Sequence, residues 1–218
     1  MRRIDDLQTH NLRFIQDTDL FPFGTDGVEL ANFAALPPAT RVCDLGAGTG
    51  IVSVLLAGKY GCTVTAVEVQ EKCCALLREN AALNGLPVTV AHMRMQDFRG
   101  QFDAVVSNPP YRKKDSGFVR ATEPERIACF EEEVTFREVA QAAARLLSTG
   151  GKFYLVFPVL RMAEAFATLR AHRLEPKKLQ ILRPAPQKPP HIFLLECRKD
   201  GKEGLAVLPE REVKTCCI

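Results

Sequence analysis

A regular alternation of short apolar runs and longer amphipathic runs between residues 41 and 172 constrains the fold of this chain most strongly. The first apolar run ends in a glycine-rich turn and is followed by a run of helical length, "RVCDLGAGTG" and then "IVSVLLAGKY". The order repeats in "CTVTAVEV" and "QEKCCALLRENAALNG", and the closing Asn84-Gly85 pair has the chemistry of a helix C-cap. Strands that alternate with helices of this length predict a parallel sheet with helices on both faces.

The alternation continues beyond the second helix. "PVTVAHM" and "FDAVVSN" are the third and fourth predicted strands, and a helix is predicted over residues 131–148, ending at Gly150-Gly151. "KFYLVFP" is the fifth strand, and a helix over 160–172 follows it. Two last strands, over 177–182 and 191–198, are separated by "RPAPQKPP", which cannot be helical and is predicted to be a loop or hairpin connection. The predicted fold class is α/β, with a doubly wound, mostly parallel, seven-stranded sheet.

Length and composition agree with one ordinary globular domain over residues 1–218. We expect its core at about 38–200, an N-terminal segment over 1–37 that reaches the ligand site, and a frayed tail over 201–218. The net charge of +3 permits a polyanionic partner without demanding one. No segment approaches the length of a membrane span, and the first residues lack an apolar leader, so we expect a cytoplasmic protein without a membrane partner.

The cysteines do not form a metal-binding pattern. There are eight of them, with no C-x-x-C spacing and no histidine pair nearby, at positions 43, 62, 73, 74, 129, 197, 216 and 217. Several lie inside apolar runs, which is typical of buried, reduced thiols in a cytosolic chain. The sequence therefore predicts no metal site.

The glycine turn after the first strand predicts a ligand site. Ligands of doubly wound sheets bind beyond the carboxyl ends of the strands, where Gly46, Gly48 and Gly50 lie. Glycines there let the backbone turn sharply and approach a ligand that a Cβ would exclude. The spacing is G-x-G-x-G, and Asp44 precedes it, whereas a pyrophosphate site would carry cations. An acid at this position suits a cationic or zwitterionic ligand better.

Two further strand ends complete a predicted nucleoside pocket. Glu68 stands at the end of the second strand, where a carboxylate can accept hydrogen bonds from both hydroxyls of a ribose. Asp97 and Phe98 follow the third strand and offer an acceptor and an apolar face for an adenine. S-adenosylmethionine, whose methionyl amine is positive, is the ligand that agrees best with these residues.

The fourth strand ends in "NPPY", residues Asn108 to Tyr111, and this turn predicts chemistry on a planar amine. The side-chain oxygen of Asn108 and the carbonyl of Pro109 can each accept one N–H of an exocyclic amine, and Pro110 stiffens the turn. Two such acceptors would hold the nitrogen with its lone pair aimed at a methyl sulfonium, without a strong base. The ring of Tyr111 offers a stacking surface for the planar group.

Together, "VCDLGAGTG", "VTAVEV" and "NPPY" resemble the class I S-adenosylmethionine-dependent methyltransferases, and specifically those that methylate planar nitrogens. The resemblance implies a Rossmann-like methyltransferase fold. It also implies that the glycine run lines the methionyl part of the cofactor, that Glu68 binds its ribose, and that Asp97 and Phe98 border its adenine. Asn108 would stand between the cofactor and the substrate.

Two substrate classes present a planar NH2 to such a turn, adenine in nucleic acid and the side-chain amide of a protein glutamine. The N-terminal "FGTD" offers Gly24 and Thr25 for a turn over the methionyl end, with Asp26 as the cap of the helix "GVELANFAAL". "FGTD", "NPPY" and "ERIACFEE" resemble the bacterial tRNA (adenine-N(6)-)methyltransferases that modify an anticodon-loop adenine of a valine tRNA. The release-factor glutamine methyltransferases share NPPY but carry a helical domain ahead of the core. A protein-glutamine methyltransferase and a non-catalytic RNA partner that binds S-adenosylmethionine remain the alternatives.

Two observations bear on an RNA substrate. Basic residues follow the NPPY turn and are predicted to meet phosphates around an extruded base, Arg112, Lys113, Lys114, Arg120 and Arg126. A second basic group lies near the last strands, Lys177, Lys178, Arg183 and Lys188. Where the tRNA family usually has an Arg-His pair, this chain has Cys129-Phe130 before Glu131, so the particular tRNA and position stay open.

Overall fold

A mixed β-sheet with helices on both faces forms the body of the protein in the computed structural model, which describes residues 1–20, 23–109 and 134–213. The described helices are α1 (Thr25–Ala34), α2 (Ile51–Gly58), α3 (Glu71–Leu83), α4 (Phe136–Leu146) and α5 (Met162–Ala171). Two strands precede the sheet, β1 (Arg2–Asp6) and β2 (Arg13–Asp17). The sheet itself contains β3 (Arg41–Leu45), β4 (Thr63–Glu68), β5 (Val88–His92), β6 (Phe102–Ser107), β7 (Leu147–Pro158), β8 (Leu174–Arg183), β9 (Ile192–Lys199), β10 (Ala206–Val207) and β11 (Arg211–Glu212).

The order of the strands confirms the predicted fold class. It runs β10-β8-β9-β7-β6-β3-β4-β5, and β11 also pairs with β8. Pairing is parallel except at β9, which lies antiparallel between β7 and β8. The seven longer strands β3 to β9 are the seven that the sequence predicts. The proline-rich stretch connects β8 to β9 as an antiparallel hairpin, as expected.

Alternating side chains of the strands build two cores, one on each face of the sheet. Val42 of β3 belongs to the core beneath α1 and α2, whereas its neighbour Cys43 belongs to the core beneath α4. Because successive strand residues point to opposite faces, a strand buried on both sides consists almost wholly of apolar residues. This explains why the predicted strands are continuous apolar runs.

The N-terminal segment forms a hairpin that the sequence does not indicate. β1 pairs antiparallel with β2, and the β1 side chains are almost all exposed. Asn80 of α3 and Asn84, which caps its C-terminus, accept hydrogen bonds from the β2 backbone, as an adjoining strand would. Asn80 Oδ1 accepts from Ile15 N–H at 2.7 Å, and Asn84 Oδ1 accepts from Arg13 N–H at 2.8 Å. The hairpin is therefore attached to α3 through side chains.

Three local expectations are corrected. Helix α1 begins two residues earlier than expected, with Gly24 as its N-cap, so Asp26 lies in the first turn and is not the cap. Helix α4 ends at Leu146 and β7 begins at Leu147, ahead of the glycine pair, because Leu147 already pairs with Phe102 of β6. Residues 201–213, expected to be frayed, carry β10 and β11, and both pair with β8. Residues 214–218 lie outside the described part.

The described cysteines are buried free thiols, as the sequence predicts, at positions 43, 62, 73, 74 and 197. Burial raises the pKa of the Cys73 thiol to about 12 and that of the Cys74 thiol to about 11, and the nearby Glu68 carboxylate adds to both shifts. Thiols with such pKa values stay protonated and act as small apolar side chains. None of the helices that the structure describes is long and apolar enough to cross a membrane.

Candidate active site

The carboxyl ends of β3, β4 and β6 meet at one edge of the sheet. Leu45 at the end of β3 pairs in register with Val67 of β4 on one side and with Ser107 of β6 on the other. The glycine turn, Glu68 and Asn108 each follow or end one of these strands, so the structure brings these predicted site residues to one edge. Ser107 is fully buried and donates its hydroxyl to Leu45 O at 2.8 Å, which ties the two strand ends together.

The three glycines of the turn have different surroundings. Gly46 and Gly48 have φ values of +70° and +56°, in the left-handed region that favours glycine. A Cβ on Gly48 would meet nothing within 4 Å, so its backbone borders open space. A Cβ on Gly50 would lie 2.5 Å from Leu77 Cγ, and Gly50 is also the N-cap of α2. The requirement for glycine at position 50 therefore comes from the contact between α2 and α3 and from its own φ of +96°.

Glu68 holds the glycine turn in place. One carboxylate oxygen accepts Gly48 N–H at 2.8 Å, and the other accepts the N–H groups of Val69 and Gln70, both at 2.9 Å. The side chain is only 5% exposed. A buried carboxylate that receives several backbone donors is held in one orientation. The hydroxyls of a ribose bound here would donate to a carboxylate that the backbone N–H groups already hold in place.

Asp44 lies beneath the turn as a buried acid. It is 1% exposed, and its carboxylate accepts the Ser53 hydroxyl of α2 at 2.7 Å. Burial is the main cause of an Asp44 pKa raised to about 7; the Ser53 hydrogen bonds oppose this shift and the Glu68 charge adds to it. A cation placed near this carboxyl would favour the ionised form, which agrees with the predicted position of a methionyl amine.

Asp97 and Phe98 lie on the loop after β5, as the predicted adenine site requires. Asp97 is exposed and Phe98 is half-buried. Arg145 of α4 donates to Met95 O at 2.8 Å and to Phe98 O at 3.2 Å, so the loop is fixed from below. In the same loop, Gln96 donates to Glu138 at 3.1 Å, while its side-chain oxygen is buried without a hydrogen-bond partner. An unpaired buried acceptor is uncommon in native proteins.

Asn108 and Pro109 directly follow β6, with Asn108 half-buried and Pro109 buried. A Cβ on Gly27 would lie 3.9 Å from Asn108 Nδ2 and only 2.8 Å from an Ile51 side-chain carbon. The first turn of α1 therefore lies beside Asn108, and Gly27 permits its close approach to Ile51 of α2. The structure thus brings the predicted N-terminal turn at exposed Gly24 and half-buried Thr25 to the same region as the NPPY turn.

The remaining predicted residues at this turn lie outside the described residues, namely Pro110, Tyr111, Arg112, Lys113, Lys114, Arg120, Arg126, Cys129, Phe130 and Glu131. The second basic group is described, and it is partly neutralised. Lys178 pairs with Glu196 at 3.2 Å, and Arg183 forms a two-point ion pair with Glu210. Because both cations already form ion pairs within the protein, the structure does not favour their predicted role as phosphate ligands.

Asn80 is a site-supporting residue that the sequence analysis did not single out. It is fully buried, and its amide donates to Ile15 O and to Thr49 O of the glycine turn, both at 3.2 Å. A signal was present, because Asn80 follows Leu76 and Leu77 at helical spacing and so lies on the apolar stripe of α3. A polar residue in such a stripe needs a buried partner.

The residues at this edge fit S-adenosylmethionine on two structural grounds. The backbone at Gly48 borders space that a side chain would fill, and the loop that carries Asp97 also holds a buried acceptor without a hydrogen-bond partner, Gln96 Oε1. The buried acid Asp44 and the ordered acceptor Glu68 match a cationic amine and a ribose. These acceptor groups therefore suit a nucleoside with a positively charged arm.

The fold and this site define a Rossmann-like class I methyltransferase, in which the ligand lies beyond the carboxyl ends of the parallel strands. The model of the methyltransferase small domain family matches residues 28–172, more than half of the chain. The chain belongs to this family. It is an S-adenosylmethionine-dependent methyltransferase.

Several curated proteins are similar to this chain over much of its length. The tRNA1(Val) (adenine(37)-N6)-methyltransferase of Parabacteroides distasonis is 28% identical over 79% of this chain and 75% of its own length. The protein of the same name from Aeromonas hydrophila subsp. hydrophila is 34% identical over 62% of this chain. The chain spans only 58% of the Aeromonas relative.

Solved structures support the fold. A protein from Agrobacterium tumefaciens described as a predicted O-methyltransferase has a TM-score of 0.63 at 21% identity, covering 86% of this chain and 85% of its own. TYW2 of P. horikoshii, solved in complex with MeSAdo, has a TM-score of 0.65 at 17% identity, covering 92% of this chain and 72% of its own. At these identities the likeness concerns the fold alone.

Proposed function

We propose that this chain transfers the methyl group of S-adenosylmethionine to the exocyclic nitrogen of an adenine in tRNA, and that adenine 37 of a valine tRNA is the target. The observation that carries the proposal is the position of Asn108 and Pro109, directly after β6 and beside the glycine turn. The names of the relatives support the choice of substrate. The chain is proposed to act as one domain, in the cytoplasm.

Asn108 and Pro109 are proposed to position the amine. The Asn108 side-chain oxygen and the Pro109 carbonyl each accept one N–H of the adenine amino group, which turns its lone pair toward the methyl donor. S-adenosylmethionine supplies an electrophilic methyl on a sulfonium. The new C–N bond forms as the C–S bond breaks, S-adenosylhomocysteine leaves, and the extra proton passes to water.

The remaining predicted residues complete the proposed site. Tyr111 stacks on the base, Pro110 stiffens the turn, and the RNA backbone meets Arg112, Lys113, Lys114 and Arg120. On the cofactor side, Gly46 and Gly48 admit the methionyl arm beneath Gly24 and Thr25, with Asp44 near its amine. Glu68 receives the ribose, and the adenine lies against Phe98 beside Asp97. Gly50 acts only through the packing of α2.

The test measures which macromolecule is methylated. The purified chain and radiolabelled S-adenosylmethionine are incubated with one candidate substrate in each of three reactions. The substrates are a valine tRNA transcript, the same transcript carrying guanine 37, and a release factor. We expect label in N6-methyladenosine after nuclease digestion of the first transcript alone. Label in methylglutamine would assign the chain to the protein-glutamine methyltransferases. Binding of the cofactor without any transfer would make it a non-catalytic RNA partner.

A further inference from the structure

One surface at the carboxyl edge lies outside the site described above. It consists of the 3-10 turn Val159–Arg161, which follows β7, and of the loop over residues 184–191, which connects β8 to β9. We call these two segments the edge platform. They contact each other, because Val159 N–H donates to His191 O at 3.0 Å. The pairing of Pro158 with Ile192 and of Leu182 with Ile192 places both segments at the edge that carries Asn108.

The edge platform projects beyond the end of β6. Ser107, the last residue of β6, pairs with Leu155 of β7, and β7 then continues for three more residues to Pro158. At roughly 3.3 Å per residue, these residues carry β7 about 10 Å past the point where β6 ends. The platform therefore stands beside the site of the Asn108 turn and above it.

Leu160 is the most exposed large apolar side chain in the described part of the protein, at 100%. It occupies the middle of the 3-10 turn, at the top of the edge platform. A fully exposed leucine on a rigid projection next to an active site is a side chain available to a partner. Leucine is among the apolar side chains that proteins insert between bases when a nucleic acid is distorted.

The loop of the platform is rich in proline and carries one cation without an ion-pair partner among the described residues. It contains four prolines, which fix φ and lower the entropy lost when a partner binds, Pro184, Pro186, Pro189 and Pro190. Arg183 donates to Pro186 O at 2.8 Å and secures the loop from its base. Lys188 is exposed and forms no ion pair with any residue that the structure describes. Residues 158–161 and 183–192 contain no Asp or Glu, but Glu164 pairs with Arg161 and Glu210 pairs with Arg183. Among the cations of the platform, Lys188 is therefore the one available to a phosphate.

We propose that the edge platform receives the nucleotides that flank the methylated adenine, with Leu160 against a base and Lys188 against a phosphate. This inference rests on the proposed tRNA function and deepens it. An adenine must leave the base stack to reach Asn108, and its neighbours then lose a stacking partner. Leu160 replaces part of that contact, while Lys188 holds the backbone of the unstacked nucleotide. The platform therefore favours binding of tRNA whose target adenine has left the base stack.

The test uses Leu160→Asp and Lys188→Glu in the full chain. We expect the KM for the valine tRNA transcript to rise about tenfold for Leu160→Asp, because apolar contact with the base is replaced by repulsion from phosphates. We expect a rise of about fivefold for Lys188→Glu, and Lys188→Ala should lower the salt slope of binding by about one. The kcat at saturating tRNA and the Kd for S-adenosylmethionine should stay within twofold of wild type, because neither residue contacts the amine or the cofactor.

Matched controls lie at the opposite edge of the sheet. Leu205, which is 40% exposed, and Lys202, which is exposed, precede β10 on the chain that leaves the far end of β9. Leu205→Asp and Lys202→Glu should leave the KM unchanged. If the platform variants behave like these controls on a tRNA that the wild type methylates, the platform inference is wrong while the proposed function stands. If the wild type methylates no tRNA, both the proposed function and the platform inference are wrong. If the platform variants alter methylation of a protein substrate alone, the platform is not an RNA surface.

Discussion

The cofactor side and the outer side of the carboxyl edge are built in opposite ways. On the cofactor side, Asp44, Glu68 and Asn80 are almost completely buried and bonded to groups within the fold. On the outer side, Leu160 and Lys188 are exposed. Burial fixes the orientation of the acceptors on the cofactor side. Substitution of these residues should therefore also lower the free energy of unfolding. Changes on the outer side should affect substrate binding without affecting folding.

The first prediction concerns Asn108, which stands between the two sides. Asn108→Ala should lower kcat about a hundredfold, or about 3 kcal/mol, because the amine loses one of its two acceptors. The Kd for S-adenosylmethionine should change far less. Single-turnover methylation and calorimetric titration of the cofactor measure the two quantities. Asn32→Ala is a control, since Asn32 of α1 accepts a hydrogen bond from Lys59, the residue that follows α2. Unchanged turnover would remove Asn108 from the mechanism.

The second prediction tests the coupling between stability and the cofactor side. Asn80→Ala should lower the free energy of unfolding by about 3 kcal/mol, because it removes a fully buried amide and leaves partly buried backbone groups of Ile15 and Thr49 without partners. Urea denaturation measures the loss. Asn84→Ala is the matched control, because its bonds to Arg13 are exposed, and a loss of about 1 kcal/mol is expected. Equal effects of the two variants would contradict the role of burial.

The third prediction separates the two kinds of glycine in the turn. Gly50→Ala should lower the free energy of unfolding by about 2–3 kcal/mol, because its Cβ would lie 2.5 Å from Leu77 Cγ at a φ of +96°. Gly48→Ala meets no neighbour, so it should cost only about 1 kcal/mol of backbone strain. Cofactor affinity should fall most for Gly48→Ala. If Gly48→Ala lowered the free energy of unfolding more than Gly50→Ala did, or if Gly50→Ala lowered cofactor affinity more, the roles assigned to the two glycines would be wrong.

The fourth prediction uses the raised pKa of Asp44, about 7 in the folded protein. Because the unfolded carboxyl ionises near its ordinary value of 3.8, Asp44 favours folding most below that pH, and the stability it contributes falls as pH rises toward 7. A cationic ligand favours the ionised form, so cofactor affinity should rise by up to about tenfold per pH unit between about pH 5 and 7.

Asp44→Asn should flatten the rise in affinity, which calorimetry at several pH values measures. Asp103→Asn serves as a control, because Asp103 pairs with Arg41 at the opposite edge, and its pKa is lowered by that hydrogen bond. It should leave the pH profile of cofactor binding unchanged. A profile that is flat in the wild type would show that Asp44 does not respond to the ligand.

Much of the fold was predictable from local pattern. Strands buried on both faces appear as continuous apolar runs, and the turn chemistry at Gly46 and at Asn84-Gly85 marks where they and the helices end. The N-terminal hairpin was not predictable in this way. β1 is almost wholly exposed and has no alternating pattern, and the partners of β2 on α3 are 65 and 71 positions away. The tail at 201–213 escaped prediction for the same reason, because its strands depend on the distant edge of β8.

The candidate site divides along a similar line. The residue types and their order at successive strand ends indicated a nucleoside pocket and an amine-binding turn, since parallel strands bring their carboxyl ends to one edge. The differing roles of Gly48 and Gly50, the support from Asn80 and the neutralisation of Lys178 and Arg183 depend on which side chains meet after folding. Local chemistry specifies what a segment can do. Contacts between distant segments decide burial, pairing and pKa, because these quantities depend on neighbours that only the folded chain supplies.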